Sequence, residues 1–232
     1  MTAEFSPNDD KKAVLDMALQ ALAQDQSRAD NWNRAAIACL QNGNLEAAVE
    51  HIGQAITLEP QDVLNYSNRA RILFAMGQPE AALRDYDQAI ELEPTPALYS
   101  SRAVVHAALD HTGATLHDLT AAIELDPSAE NFLNRAAFFA NKGMASDALL
   151  NLNRVIELDP TNPNHRLTRA NLAFATNRFD LGLEDVEQAL AHDLDGPLTF
   201  GLQQLADQLE AQLAHSPQPQ ISRRLIDLIR SK

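Results

Sequence analysis

The chain has 232 residues and a formal net charge of −14, because 32 acidic residues outnumber 18 lysines and arginines. No apolar run approaches the ~18 residues that a membrane-spanning helix needs, and the start MTAEFSPNDDKKAV lacks the features of a secretory signal, so we expect a cytoplasmic protein. The single cysteine, Cys39, excludes an internal disulfide framework, and the acidity disfavours nucleic acid as a partner.

The first predicted element is a helix over residues 11–26. Apolar residues recur there at helical spacing, among them Val14, Met17 and Leu22. We therefore expect residues 1–28 to form an N-terminal tail and a capping helix.

A repeat with a period of 33 or 34 residues follows this helix. The strings TLEP, ELEP, ELDP and ELDP end at Pro60, Pro94, Pro127 and Pro160. Seventeen residues before these prolines stand Gly43, Gly77, Asp110 and Gly143. An Arg-Ala pair preceded by Asn, Ser or Thr recurs in the same phase, starting at Asn68, Ser101, Asn134 and Thr168. Three markers in one phase indicate internal repeats.

Each repeat has the pattern of two amphipathic helices. In the second repeat, Tyr66, Ala70 and Phe74 share one helical face, and Gly77-Gln78-Pro79 interrupts the helix. Residues 80–92 then form a second amphipathic helix, which Pro94 ends because proline cannot continue it. Neither helix can bury its apolar stripe alone, so neighbouring repeats are expected to stack.

These spacings resemble the tetratricopeptide repeat (TPR) over residues 29–195. The family pattern has an aromatic at position 4, small residues at 8, 20 and 27, and proline at 32, and most repeats match it. The fifth repeat departs from it, with Arg166 for the aromatic and Leu194 for the proline. The resemblance implies an all-α fold, a right-handed α-solenoid of about five hairpins with N-terminal and C-terminal capping helices. The expected repeats are 29–62, 63–95, 96–128, 129–162 and 163–195, then a capping helix over 196–215 and a linker with a short basic helix over 216–232.

Four repeats carry an arginine at one recurring position: Arg69, Arg102, Arg135 and Arg169. Sixteen residues after each stands Asp85, Asp118, Asn151 or Asp185, whereas the first repeat has Ala35 and His51 in these places. The joint absence in the first repeat favours a structural pair within each hairpin. The alternative is a ladder of anion-binding sites.

The resemblance also implies that the first helix of each repeat lines a concave peptide-binding groove. The groove residues that we predict are Asn33, Ile37, Ser67, Asn68, Arg71, Phe74, Ser100, Ser101, Val104, Asn134, Ala137, Asn141, Thr168, Asn171 and Phe174. An amide in such a groove can donate to and accept from a peptide backbone. The alternative is that these positions are only solvated helix faces.

One TPR subclass binds acidic chaperone tails through a two-carboxylate clamp. Asn68 matches its clamp asparagine, but Ala97 and Ser101 stand where the clamp has basic residues. The sequence therefore disfavours this ligand. An uncharged groove on an acidic chain is expected to prefer neutral, apolar or basic segments.

The C-terminal segment ISRRLIDLIRSK is basic, with a net charge of +3, so the other 220 residues carry −17. It could cap its own array, insert into a groove of its own or another subunit, bind a separate partner, or touch an anionic membrane. The tail residues expected to make these contacts are Arg223, Arg224, Leu225, Ile229 and Arg230.

No pattern of catalytic residues appears, and the histidines lack metal-ligand spacing, so we expect no enzyme activity, no metal and no cofactor. The predicted function is a protein–protein interaction scaffold or adaptor that holds a peptide segment of a partner in the groove. The alternative is a self-assembling or autoinhibited module in which the basic C-terminal helix docks on its own or another subunit's array.

Overall fold

A computed structural model describes the backbone of residues 7–192, and this part of the chain is all-α. The helices are α1 (Pro7–Gln24), α2 (Ala29–Gln41), α3 (Leu45–Leu58), α4 (Val63–Ala75), α5 (Pro79–Leu92), α6 (Pro96–Ala108), α7 (Thr112–Leu125), α8 (Ala129–Asn141), α9 (Ala145–Leu158), α10 (Pro163–Ala175) and α11 (Phe179–His192). The predicted all-α fold of TPR hairpins is confirmed. The helices expected over 196–215 and in the basic tail lie outside the described residues.

The chain divides into two compact units, residues 1–125 and residues 126–232, and each is described by itself. In the first unit α2 pairs with α3, α4 with α5, and α6 with α7, and these pairs are hairpins 1 to 3. In the second unit α8 pairs with α9 and α10 with α11, as hairpins 4 and 5. Within each unit, the second helix of one hairpin packs on the first helix of the next.

Each hairpin turns at a residue with positive φ. Gly43, Gly77 and Gly143 have φ of 77°, 73° and 72°, while Asp110 and Asn177 have φ of 58°. The amide after each of these residues bonds back to a carbonyl five residues earlier, as in Asn44 N–H to Cys39 O at 2.9 Å. Asp and Asn are the non-glycine residues that best tolerate the left-handed region, which explains how Asp110 replaces the glycine.

Small residues bring the two helices of each hairpin together. The alanines at repeat positions 8, 20 and 27 are buried, for example Ala70, Ala82 and Ala89 in hairpin 2. Hairpin 5 has Gly182 where hairpin 2 has Ala82, and a Cβ built on Gly182 would lie 2.5 Å from the Phe174 ring. The departure from alanine is therefore required by the neighbouring phenylalanine.

Helix α1 packs on α2 as α3 packs on α4, but no described helix precedes it as a hairpin partner. Val14 stands at repeat position 20 of α1 and is 44% exposed, whereas Ala48 and Ala82 at the same position are fully buried. The helix begins at Pro7, four residues before the predicted start. It covers one side of α2, which buries Leu22.

Candidate functional site

The recurring arginines are bonded within their own hairpins. Arg69 Nε and Nη2 donate to the two carboxylate oxygens of Asp85, both at 2.7 Å. The same two-pronged contact joins Arg102 to Asp118 at 2.8 and 2.7 Å, and Arg169 to Asp185 at 2.8 and 2.6 Å. The paired structural role is therefore confirmed for these three arginines. Their guanidinium groups already bind carboxylates of the same chain.

Asparagine and aromatic rings complete this set of contacts. Arg135 Nε donates to Asn151 Oδ1 at 2.9 Å. The guanidinium carbon lies 5.5–5.7 Å from the centroid of the ring three residues earlier in hairpins 2, 3 and 4. Hairpin 1 lacks the arginine, and there the centroids of the His51 and Trp32 rings lie 5.5 Å apart.

The pKa shifts of the arginines follow their partners. The hydrogen bond to Asp85 raises the pKa of Arg69, and the hydrogen bond to Asp118 raises that of Arg102. Arg135 has an uncharged partner, and its burial lowers its pKa. A carboxylate thus offsets the cost of burying the guanidinium, while an amide offsets it only in part.

Three predicted groove residues of the first unit form one hydrogen-bonded chain across α2 and α4. Arg71 Nη1 donates to Asn68 Oδ1 at 3.3 Å, and Asn68 Nδ2 donates to Asn33 Oδ1 at 3.0 Å. Asn33 Nδ2 in turn donates to Oδ1 of the buried Asn65 at 2.5 Å. Within the described residues, Asn68 donates one of its two amide hydrogens and Arg71 uses one of its five donors in these bonds.

A cavity of about 580 Å³ lies between the first helices of hairpins 2 and 3. Four predicted groove residues line it: Ser67, Asn68, Arg71 and Ser101. Its other lining residues are Gln61, Asp62, Val63, Leu64, Tyr86, Glu93, Thr95, Ala97 and Leu98. The cavity therefore combines both signs of charge with hydroxyl groups and apolar side chains.

Tyr86 lines the cavity from α5 and was not among the predicted groove residues. It is buried on α5, burial raises its pKa, and a hydrogen bond to Ser101 acts in the opposite direction. Its hydroxyl is therefore uncharged at neutral pH. The corresponding residues in the other hairpins are purely apolar: Ile52, Leu119, Leu152 and Val186. The hydroxyl of Tyr86 is the one departure from this series, and it is the feature of the sequence that could have indicated a lining residue here.

A second cavity of the first unit, of about 400 Å³, lies between α1 and α2. Asn33 and Ile37 of the predicted groove line it, opposite Val14 and Met17 of α1. Its walls are mainly apolar, because α1 leaves one apolar side uncovered.

In the second unit, a cavity of about 450 Å³ lies between the first helices of hairpins 4 and 5. Four predicted groove residues line it: Asn134, Ala137, Thr168 and Asn171. All four are exposed, and the other lining residues are apolar: Leu133, Ala136, Ala140, Leu152 and Leu172. No charged side chain lines this cavity within residues 126–192.

Both predicted groove phenylalanines belong largely to the core. Phe174 is 4% exposed and faces Gly182, so it is not a contact surface for a ligand. Phe74 is half-buried and packs against the core of hairpins 2 and 3. The resemblance assigned this helix position to the groove. Here the phenylalanine side chain points inward instead, because its large ring fills the space that a small residue leaves on the facing helix.

The remaining predicted groove residues lie outside these three cavities. Val104 and Asn141 are exposed, on α6 and at the end of α8, and Ser100 is half-buried. The predicted tail residues Arg223, Arg224, Leu225, Ile229 and Arg230 lie outside the described residues.

The histidines and acidic residues of the described part form no group of three or more that could hold a metal ion. His106 and His111 approach each other, with 3.3 Å between their Nδ1 atoms, and burial lowers the pKa of His106. Between residues 7 and 192, no helix has the length and apolar character to cross a membrane.

Comparison with known proteins agrees with this architecture. Tetratricopeptide repeat family models match residues 29–62 and 65–96. No curated protein matches the sequence. The repeats and the hairpin fold identify the chain as a tetratricopeptide repeat protein.

Solved structures of TPR proteins share the fold. The C-terminal part of a TPR repeat-containing protein from Cytophaga hutchinsonii has a TM-score of 0.73 at 14% identity, covering 97% of this chain and 91% of its own. A thermophilic TPR protein of Thermus thermophilus has a TM-score of 0.60 at 20% identity, covering 71% and 91%. YrrB, described as a TPR protein with an unusual peptide-binding site, has a TM-score of 0.54 at 18% identity, covering 81% and 97%. Repeat arrays of this kind provide extended surfaces for protein–protein interaction.

Proposed function

We propose that the chain is a non-enzymatic interaction scaffold that binds a peptide segment of a partner protein along the first helices of its hairpins. The observation that carries this proposal is the placement of the two cavities between neighbouring first helices. Their volumes, about 580 and 450 Å³, are within the range of ligand sites, and eight predicted groove residues line them. A peptide in extended form presents side chains and amides to both kinds of surface.

The exposed lining residues support the same proposal. Leu64 is 65% exposed in the first cavity, although leucine gains free energy from burial. Asn134 and Asn171 are exposed in the second cavity, and neither has a described hydrogen-bond partner for its side chain. These side chains make few internal contacts. Amino-acid substitutions at these positions should therefore change peptide binding more than folding stability.

The test uses twelve-residue peptides selected from a display library against the full chain, with affinity measured by fluorescence polarisation. We expect Leu64→Gln and Asn171→Ala each to weaken a selected peptide by about tenfold or more, and to leave the melting temperature within ~2 °C. Leu150→Gln is the matched control, because Leu150 is also 65% exposed but lies on the second helix of its hairpin.

Failure of the groove variants to weaken any selected peptide would refute this function. If Leu150→Gln weakens binding while the groove variants do not, the interaction surface lies on the second helices instead. A loss of binding together with a fall in melting temperature would show that these residues serve folding.

The charge distribution favours a second candidate, in which the basic tail docks on an array. Residues 221–232 carry a net charge of +3 and the rest of the chain −17. If the tail bridges subunits, removing residues 216–232 should reduce the particle mass in light scattering, and salt should do the same for the intact chain. An unchanged mass would exclude bridging between subunits.

A further inference from the structure

Arg71 is a cation without an anionic partner in the described part of the chain. It is exposed on α4, its one described hydrogen bond goes to Asn68 Oδ1 at 3.3 Å, and it forms no ion pair there. Arg69 and Arg102, by contrast, each hold a carboxylate at 2.7 Å. Arg71 lines the 580 Å³ cavity, so its charge faces a space that a ligand can enter.

Two carboxylates lie at the opposite end of the same cavity. Asp62 is the N-cap residue of α4, nine residues before Arg71, which places the two about 13 Å apart along the helix axis. Glu93 is the C-cap residue of α5, and because α5 runs back along α4, Glu93 lies at the same end as Asp62. The cavity is therefore negative at one end and positive at the other.

The dipoles of α4 and α6 oppose this polarity but do not cancel it, and the dipole of the antiparallel α5 supports it. At the acidic end, the starts of α4 and α6 contribute roughly +0.5 charge each and the end of α5 roughly −0.5, against two full negative charges. The end of α4 contributes roughly −0.5 near Arg71, against one full positive charge. Asp62 also accepts the N–H of Leu64 at 2.9 Å, which satisfies one helix amide.

The lining residues between the two charged ends of the cavity can bind a peptide backbone and an apolar side chain. Ser67, Ser101 and Tyr86 bring hydroxyl groups, while Leu64 and Leu98 bring apolar surface. An extended peptide rises about 3.3 Å per residue, so roughly four residues span the distance from Asp62 to Arg71.

We propose that this cavity binds an extended segment that carries an acidic group and a basic side chain about three to five residues apart, with an apolar residue between them. Arg71 holds the carboxylate, and Asp62 with Glu93 holds the basic side chain. This inference rests on the proposed peptide-binding function and adds the chemistry of the peptide and the placement of its two charged groups. The two carboxylates repel a segment with several acidic residues, so this site differs from a two-carboxylate clamp.

The test uses the full chain and fluorescein-labelled twelve-residue peptides with Gly-Ser flanks. The core is lysine, alanine, leucine, alanine and glutamate, in this order and in reverse, with glutamine replacing either or both charged residues. A further peptide ends in a free carboxyl group in place of the glutamate. We expect one order of the charged core to bind at least tenfold tighter than the doubly glutamine-substituted peptide.

Variants of the protein assign each charge to its side chain. Arg71→Gln should remove the advantage of the acidic group alone, and Glu93→Gln should reduce the advantage of lysine alone. Arg84→Gln and Glu91→Gln are matched controls on α5, exposed and outside the cavity, and should change affinity less than twofold. Tight binding of the peptide with the free carboxyl group would identify a chain terminus as the carboxylate source; tight binding of the glutamate peptide would identify a side chain.

Equal binding of the charged and glutamine peptides would overturn the proposal. So would a charge preference that persists unchanged in Arg71→Gln. If display-selected peptides bind through Leu64 while the charged probes do not bind, this inference fails and the peptide-binding function stands. If no peptide of either kind binds, both fail.

Discussion

Removal of the Asp118 carboxylate tests the internal ion pairs most directly. The Asp118 side chain is 2% exposed and accepts two hydrogen bonds from Arg102, whose side chain is 16% exposed. In Asp118→Ala, the guanidinium would keep only Asp87, at 2.7 Å, on the solvent side. A mostly buried cation would then lack its main partner.

The expected cost follows from this burial. Removing one partner of a buried pair costs about 3–5 kcal/mol, and the better helix propensity of alanine offsets roughly 0.5 kcal/mol. We therefore expect Asp118→Ala to lose about 2.5–4.5 kcal/mol of unfolding free energy. Asp118→Asn should lose only about 1–2 kcal/mol, because hairpin 4 has an asparagine at this position that still accepts from its arginine.

Urea denaturation measures both variants. Trp32, the only tryptophan, reports on the first unit through its fluorescence, and circular dichroism follows the helices. Glu124→Ala, on the exposed side of the same helix, is the control and should stay within about 0.5 kcal/mol of the parent. A stabilising role of the ion pair is refuted if Asp118→Ala is no more costly than the control, or if Asp118→Asn is as costly as Asp118→Ala.

Three further outcomes follow from the packing. Gly182→Ala should cost about 1–3 kcal/mol, because its Cβ would meet the Phe174 ring at 2.5 Å; a thermal melt of this variant with and without Phe174→Leu measures whether the smaller side chain restores stability. Gly77→Asn should cost less than about 1 kcal/mol, since Asn177 adopts a similar φ, whereas Gly77→Val should cost about 2 kcal/mol; equal urea midpoints for the two would contradict this. Cys39 is buried, and burial raises the pKa of its thiol, so a disulfide reagent at pH 8 should label it at least 100-fold more slowly in the native chain than in urea; comparable rates would show that the thiol is accessible.

The repeat pattern was sufficient to predict the hairpins and their internal pairs. The offset of sixteen residues between arginine and acidic residue, and its joint absence in the first repeat, predicted contacts that the structure forms at 2.6–2.8 Å. This worked because both residues stand at fixed positions of a repeated packing geometry. The recurring glycine predicted the turn of each hairpin equally well. Asp110 replaces this glycine in hairpin 3 but keeps a positive φ.

The direction of individual side chains was not predictable from the pattern. Phe174 was expected in the groove but is buried, because Gly182 makes room for it on the neighbouring helix. Tyr86 stands at a helix position that is apolar in the other hairpins, but it lines the cavity next to Ser101. Both outcomes depend on pairs of residues in different helices, and a periodic pattern within one helix does not contain that information.

The bonds of Arg102 extend beyond its own hairpin. Its Nη1 donates to Asp87 of hairpin 2, and Arg169 likewise donates to Asn153 of the preceding hairpin at 2.6 Å. The corresponding neighbour of Arg69 in hairpin 1 is Gly53, which has no side chain to accept. Hairpins 2 and 3 therefore lose a shared ion pair when either opens, and should open cooperatively. Hairpins 1 and 2 are joined instead by the uncharged amide bonds of Asn33 with Asn68 and Asn65, so salt should weaken the coupling between hairpins 2 and 3 more than that between hairpins 1 and 2.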